Sequence, residues 1–331
     1  MQAPAFWQAP AGISARLLSP FGAIYAAATG RRLRRAGLRL DIPVICVGNL
    51  TVGGSGKTPT VIALAERLCR REIAVHILLR GYGGRLAGPL QVDPQRHDAA
   101  AVGDEALLMS AYAPVWVARD RAAGGLAAAR AGAQAILLDD GFQNPALQKD
   151  LSLLVVDAEA GFGNGFCIPA GPMREPVAAG LARADLVLIL GPAAARAQLL
   201  ETWPVLREKP VLTGGIRPRD TGMSWAGQPV VAFAGIGRPE KFFATMRDLG
   251  AQLVGQHGLG DHQPFTPRLL TRLQREAQAK GAMLVTTDKD AVRLPRPFHG
   301  LAVPVPVALE TADWPAIDNH LNPIFATKLP G

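Results

Sequence analysis

The residues best equipped for chemistry stand in VGNLTVGGSGKTPT, Val47 to Thr60. Gly56-Lys57-Thr58 closes this stretch like a phosphate-binding loop. The usual spacing, G-x-x-x-x-G-K-[ST], would put glycine where this chain has Thr51. Such a loop turns the backbone N–H groups of Thr51, Val52, Gly53, Gly54, Ser55 and Gly56 toward phosphate oxygens. A helix starting at Lys57 adds positive partial charge there. Lys57 would bridge the β- and γ-phosphates of a nucleotide, and Thr58 would hold Mg²⁺. Pro59 is tolerated, because the first helical turn has no N–H partner to lose. Thr51 can replace the first glycine only if its backbone avoids positive φ.

Four further stretches carry polar groups in suggestive places. AILLDDGFQN (135–144) ends an apolar strand in Asp139-Asp140, as a Walker B element does. One carboxylate would enter the Mg²⁺ shell while the other faces substrate or catalysis. In VGDEALLMSAY (102–112), Asp104 opens an apolar helix, where it suits either an N-cap or a carboxylate base. GLGDHQPFT (258–266) offers Asp261 and His262 in a polar loop, and a carboxylate–imidazole pair can take the proton of a hydroxyl. GFGNGFCIPAGPMREP (161–176) is a Gly/Pro-rich connection in which Arg174 and Glu175 could serve phosphate and metal.

These residues need a frame, and the apolar pattern supplies one. Continuous apolar runs at 43–50, 74–79, 115–118, 135–139, 151–158 and 184–190 alternate with helical stretches at 58–71, 104–112 and 120–132. That alternation predicts a mostly parallel sheet covered on both faces. Residues 204–228 mix Pro, Gly and polar residues. A second series follows, with strands at 230–237, 282–287 and 301–309 and helices near 239–249 and 267–280. The expected organisation is an N-terminal segment at 1–40, an α/β domain at 41–211, a linker at 212–228 and a smaller α/β domain at 229–331.

Composition narrows the partners. The chain has 331 residues, 49% hydrophobic and 19% charged, which describes a packed globular protein. Its net charge of +8 is concentrated: residues 1–40 hold six arginines and no acid, whereas the rest holds 29 basic and 27 acidic side chains. A basic segment on a near-neutral body favours an anionic membrane surface over a nucleic-acid track. Arginines that follow the apolar part do not make a secretory signal, and Arg16 and Pro20 interrupt any membrane span. Ile13, Leu17, Phe21, Ile24, Tyr25 and Ala28 nevertheless share a helical face, suited to the membrane interface or to packing on the protein body. Cys46, Cys69 and Cys167 are isolated, consistent with a reducing compartment and no structural zinc.

Taken together, GNLTVGGSGKTPT, LLRGYGGR, GDEALLM, VARDRAAG, LLDDGFQN, DLSLLVVDA, GFGNGFCIPAGPMREP, AFAGIGRPEKFF, GDHQPFT and VTTDKDAV resemble, in this order, the tetraacyldisaccharide 4'-kinases of Gram-negative bacteria. The resemblance implies a P-loop NTPase-like α/β/α sandwich with a second, smaller α/β domain and an N-terminal amphipathic helix. It implies ATP and Mg²⁺ as cofactors, and phosphorylation of the 4'-hydroxyl of a tetraacyldisaccharide 1-phosphate to lipid IVA at the cytoplasmic face of the inner membrane. The N-terminal helix would dock peripherally on the bilayer, with no obligate protein partner and no nucleic acid. By motif, Asp104 and His262 correspond to the catalytic pair, Asp104 as base and His262 orienting it. Lys57 and Thr58 correspond to the ATP–Mg²⁺ site, and Asp139, Asp140 and Glu175 to metal positions. Arg174, and Asp120 of VARDRAAG, correspond to substrate or phosphate positions. Asn144 replaces a histidine common in the family.

Competing readings fare worse. A membrane-switching ATPase with a deviant loop needs a lysine where this chain has Val52. A GTPase needs [NT]-K-x-D, and TTDKDAV fails that spacing. A nonenzymatic adaptor would not need Lys57, Thr58 and Asp139 together.

Overall fold

The computed structural model describes residues 4–260 and 263–328. Helix α1 (Ile13–Leu33) leads to β1 (Val44–Gly48), α2 (Lys57–Cys69), β2 (Val75–Leu79) and β3 (Leu90–Gln91). Two short helices, α3 (Ala99–Val102) and α4 (Asp104–Met109), precede β4 (Val115–Val117), α5 (Arg121–Arg130), β5 (Ala135–Asp139) and β6 (Leu151–Asp157). Then come α6 (Val177–Leu181), β7 (Leu186–Leu190), α7 (Ala193–Thr202) and β8 (Val211–Pro218). A second series comprises β9 (Pro229–Ala234), α8 (Pro239–Asp248), β10 (Gln252–Gly258), α9 (Pro267–Ala279), β11 (Met283–Thr287), α10 (Asp288–Ala291) and β12 (Val303–Val305). Strand β13 (Val307–Glu310) and helix α11 (Trp314–Lys328) follow.

Nine strands form one sheet in the order β13-β8-β7-β6-β1-β5-β2-β4-β3, parallel except at its two edge pairs. A second sheet, β10-β9-β11-β12, is wholly parallel. Alternation along β1 sends Ile45 and Val47 to one face and Val44 and Cys46 to the other. On the first face α2 contributes Val61, Leu64 and Leu68, and α11 contributes Ile317, Leu321 and Phe325. The opposite face is covered by Phe142, Leu181 and Leu199, with Tyr25 and Ala26 of α1 packed against it. In the second sheet Val230 and Ala232 face Phe242, Phe243 and Met246 of α8, while Val231 and Phe233 face Leu270 and Leu273 of α9. Each sheet is therefore an α/β/α sandwich, as the apolar runs predict.

The expected boundaries need correcting. Residues 212–218 are not linker but part of β8, parallel to β7, so the outward connection shrinks to 219–228. The return is equally distinct. β13 pairs antiparallel with β8, and α11 lies back on α2, where Arg67 engages Asp318 through both of its acceptor oxygens and Arg71 donates to Asn322 at 2.7 Å. Lys328 reaches Asp150 at 2.7 Å. The expected division at 229–331 thus assigns β13 and α11 to the wrong sheet. Two chain crossings join the bodies, one outward and one back.

Helix α1 turns its smallest residues to the body: Ala15, Gly22 and Thr29 are buried, and a Cβ on Gly22 would lie 2.7 Å from the Cys167 carbonyl oxygen. Its large apolar residues face outward, with Ile13, Leu17, Phe21 and Ile24 between 61% and 79% exposed. Tyr25, expected on that same face, packs inward instead. No described helix is long and apolar enough to cross a membrane.

Candidate active site

The glycine-rich loop joins β1, the strand between β5 and β6, to α2. The chain thus leaves the carboxyl edge of the sheet where neighbouring strands connect in opposite directions, which is where open α/β sheets bind ligands. Gly56 caps α2 with φ +87°, and a Cβ there would lie 2.4 Å from Leu190 Cδ1, so both conformation and space require glycine. Gly53 also has positive φ, at +110°. Thr51 does not: among the described non-glycine residues only Glu72 and Asp140 do. Thr51 instead forms an antiparallel bridge with Met173, while Val52 N–H donates to the Pro172 carbonyl and Arg174 N–H to that of Leu50. The segment 172–174 thus braces the loop from outside, and threonine suits an extended position where glycine is usual.

Lys57 opens α2 and points to Asp140, with Nζ 3.6 Å from Oδ1. Arg174 Nη1 donates to the two oxygens of Asp140 at 2.8 and 2.9 Å. Burial alone would raise the Asp140 carboxyl, but Lys57 and Arg174 outweigh it and hold it below its usual value. Asp139, the last residue of β5, behaves oppositely. It is only 2% exposed, and burial, reinforced by the charge of Glu105, pushes its carboxyl up to about 7 against the pull of Lys57. Beneath it Arg121 donates to the carbonyls of Ala118 and Asp139, and burial draws that guanidinium down to about 10.

Glu175 lies buried beside the loop. It is 2% exposed, accepts from Gln143 Nε2 at 2.9 Å and is ion-paired to Arg183, whose guanidinium lies 4.6 Å over the Phe142 ring. Both of its oxygens are thus engaged, one by Gln143 and one by Arg183. Gln143 also donates to the Asn49 carbonyl, so this chain of contacts ends at the root of the phosphate loop. Asp120 stands exposed at the start of α5. Its side chain caps α5, accepting from Ala122 and Ala123 N–H, and the inward residue of VARDRAAG is its neighbour Arg121. Asn144 accepts from Ala146 N–H in a local turn.

Asp104 is the first residue of α4 and 5% exposed, with Oδ1 accepting from Glu105 N–H at 3.0 Å. It follows Gly103, whose positive φ of +91° and close approach to the Tyr82 carbonyl exclude any side chain. Lys289 of α10 reaches across from the second body, 3.8 Å from Asp104 Oδ2 and 3.3 Å from Glu105 Oε1. His262 and Asp261 lie outside the described residues. Sequence reasoning passed over Glu105, Arg121, Gln143, Arg183 and Lys289.

No three described His, Cys, Asp or Glu side chains form a metal cage. Mg²⁺ at nucleotide sites leans instead on one or two carboxylates and on phosphate oxygens. Asp139 Oδ1 and Ser55 Oγ are buried without a hydrogen-bond partner, and they flank Lys57-Thr58, so the donor set fits that ion.

A parallel sheet with this loop after its central strand, and a buried carboxylate ending the adjacent strand, defines a P-loop kinase fold. A family model described as tetraacyldisaccharide-1-P 4'-kinase matches residues 14–325, and the chain belongs to that family. A tetraacyldisaccharide 4'-kinase of Dinoroseobacter shibae is 59% identical over 330 residues, 98% of each chain. One from a Jannaschia species is 55% identical over 326 residues, covering 98% of this chain and 99% of its own. Among solved structures, "apo" form LpxK from Aquifex aeolicus, crystallised in complex with ATP, superposes with a TM-score of 0.71 at 26% identity, covering 94% of this chain and 99% of that one. The protein is an enzyme, a kinase.

Proposed function

We propose that this kinase transfers the γ-phosphoryl group of ATP to the 4'-hydroxyl of a tetraacyldisaccharide 1-phosphate, a precursor of lipid A, the tetraacyldisaccharide being the substrate in its relatives' names. The observation that supports it is that Lys57, at the phosphate loop, and Glu105, the neighbour of Asp104 on α4, both act on the buried Asp139, with Lys289 reaching over from the second body to Asp104 and Glu105.

The backbone of 51–56 and the start of α2 bind the triphosphate, and Lys57 exchanges Asp140 for phosphate oxygens. Arg174 keeps Asp140 turned and ionised after that exchange. Thr58 and Asp139 would hold Mg²⁺, which neutralises phosphate charge when bound. Asp104 accepts the proton of the attacking hydroxyl, and His262 orients it. Exclusion of water by the two bodies limits ATP hydrolysis.

The exposed stripe Ile13, Leu17, Phe21 and Ile24, followed by Arg31, Arg32, Arg34 and Arg35, favours peripheral contact with the cytoplasmic face of an anionic inner membrane. An acylated sugar stays in the bilayer, so the enzyme must come to it.

The test is transfer of labelled γ-phosphate from ATP to detergent-dispersed tetraacyldisaccharide 1-phosphate, comparing wild type with Lys57→Ala. Lipid label with wild type, and at least about 100-fold less with the variant, supports the reading. ATP hydrolysis without lipid label sinks it.

A further inference from the structure

The phosphate loop is held at its ends and not in its middle. A Cβ on Gly53 or Gly54 would meet no described atom within 4 Å, so no side chain packs against the centre of the loop. Glycines in open space leave the backbone many conformations of similar energy. Order must therefore enter from Gly56 and α2 at one end, and from residues 50–52 at the other. That second end is gripped by Pro172, Met173 and Arg174. Val52 N–H donates to the Pro172 carbonyl at 2.9 Å, Thr51 bridges Met173, and Arg174 N–H donates to the Leu50 carbonyl at 2.7 Å.

What holds 172–174 in turn is a tight double turn with Asn164 at its centre. Asn164 Nδ2 donates to the Ala170 carbonyl at 2.9 Å and to the Phe6 carbonyl at 3.3 Å, while Oδ1 accepts from Phe166 N–H at 3.1 Å. Its backbone N–H donates to the Trp7 carbonyl at 2.9 Å, so the segment ahead of α1 is tied in as well. Gly171 passes so close that a Cβ there would collide with Asn164 Oδ1. The chain then doubles back on itself. Met173 N–H donates to the Phe166 carbonyl at 3.0 Å, and Ile168 N–H to the Met173 carbonyl at 2.9 Å. Met173, fully buried, thus bridges Cys167 on one side and Thr51 on the other.

We propose that Asn164 is a positioning residue for ATP: it locks the turn 164–171, so that Pro172, Met173 and Arg174 hold the phosphate loop in its binding shape. This rests on the reading of that loop as the ATP site. Asn164 acts through these three residues, and the last of them also carries the Asp140 partner of Lys57. A loop that spends only part of its time in the competent shape binds more weakly by that same fraction. Loosening the turn therefore lowers ATP affinity without altering the chemical step. Gln143, which holds the Asn49 carbonyl from the other side, braces the strand end ahead of the loop and stays in place.

The experiment titrates ATP, with Mg²⁺ present, into full-length wild type, Asn164→Ala and Gly171→Ala, and follows lipid phosphorylation by the same proteins. Gly171→Ala leaves the amide intact and displaces it with a methyl group. Asp185→Ala serves as the control, because Asp185 accepts from Ser152 N–H at 2.7 Å on the amino edge of the same sheet, away from the loop. Both turn variants should bind ATP about tenfold more weakly and show a KM for ATP raised in parallel. Their kcat at saturating ATP and their KM for lipid should stay within about twofold of wild type. Asp185→Ala should lower Tm yet keep ATP affinity within about twofold. Unchanged ATP affinity in either turn variant, or an equal loss in Asp185→Ala, overturns the proposal and leaves Asn164 a stabilising residue only. A fall in kcat at saturating ATP with affinity unchanged overturns it too. If Asn164→Ala fails to fold, Gly171→Ala carries the test. A wild type that binds ATP and labels no lipid sinks the kinase reading alone, and the affinities still decide the role of Asn164.

Discussion

At the scale of the residue, two adjacent aspartates meet opposite surroundings. Asp140, in the left-handed region at φ +51°, turns outward to Lys57 and Arg174 and stays ionised. Asp139 turns into the protein, and burial raises it from 3.8 to about 7. A carboxyl with a raised folded pKa binds its proton more tightly in the folded state. Its contribution is thus fully favourable below about pH 4 and is lost as pH rises through about 7. Without nucleotide or Mg²⁺, Asp139→Asn should therefore raise Tm at pH 8 and change it little at pH 4, while abolishing kinase activity. Thermal scans at the two pH values check this, and a variant less stable than wild type at pH 8 would contradict it. The adjacency of the two aspartates was legible in the sequence. Their division of labour was not, because it depends on which side of the strand end each carboxylate leaves.

At the scale of the element, apolar runs revealed the buried strands because parallel strands covered on both faces carry little polar residue. β1, β5, β6 and β7 were read within a residue or two for that reason. β8 was read as linker because its VLTGGIRP is glycine-rich and only half buried near the sheet margin. β10 has a mixed, mostly half-exposed sequence, and α11 contains Pro323; neither announces itself by periodicity. In α1 the apolar spacing marks the outward stripe, Tyr25 excepted, but leaves its partner open. The helix meets the body through Ala15, Gly22 and Thr29 and presents Ile13, Leu17, Phe21 and Ile24 outward. Because that stripe makes no core contact, Phe21→Glu with Ile24→Glu should leave Tm within about 1 °C and weaken flotation with anionic vesicles about tenfold or more. Unchanged flotation would remove this helix from any membrane role.

At the scale of the molecule, the bodies also meet on the far side of the phosphate loop from Lys289. Arg238 and Lys241, at the start of α8, embrace Asp157, which ends β6, and Glu159 just beyond it, with Lys241 2.5 Å from Glu159 and 3.3 Å from Asp157. Arg238 and Lys241 first lower the energy of an Asp157 carboxylate that burial would otherwise disfavour, and its pKa ends below the usual value. Both cations are 42–49% exposed, so the clasp contributes about 1 kcal/mol at most and weakens with salt. Arg238→Ala with Lys241→Ala should shift closure about fivefold toward open forms, seen as a larger radius of gyration and a higher KM for lipid. Wild type should loosen in the same way as salt approaches about 1 M. A radius indifferent to both changes would mean that buried contacts alone seat the second body.

The double crossing between the bodies has a consequence for how the chain is made. The second sheet is contiguous, from β9 to β12, whereas the first sheet waits for its outermost strand and for the helix that covers Val61 and Leu64. Strand β13 and helix α11 leave the ribosome only after the whole of the second sheet. The inserted body can thus mature while the nucleotide-binding body, begun first, still exposes an unpaired edge and a bare apolar face. A nascent chain stalled just after Val305 would be a half-protein with its younger half finished, and its older half is the part a chaperone would hold.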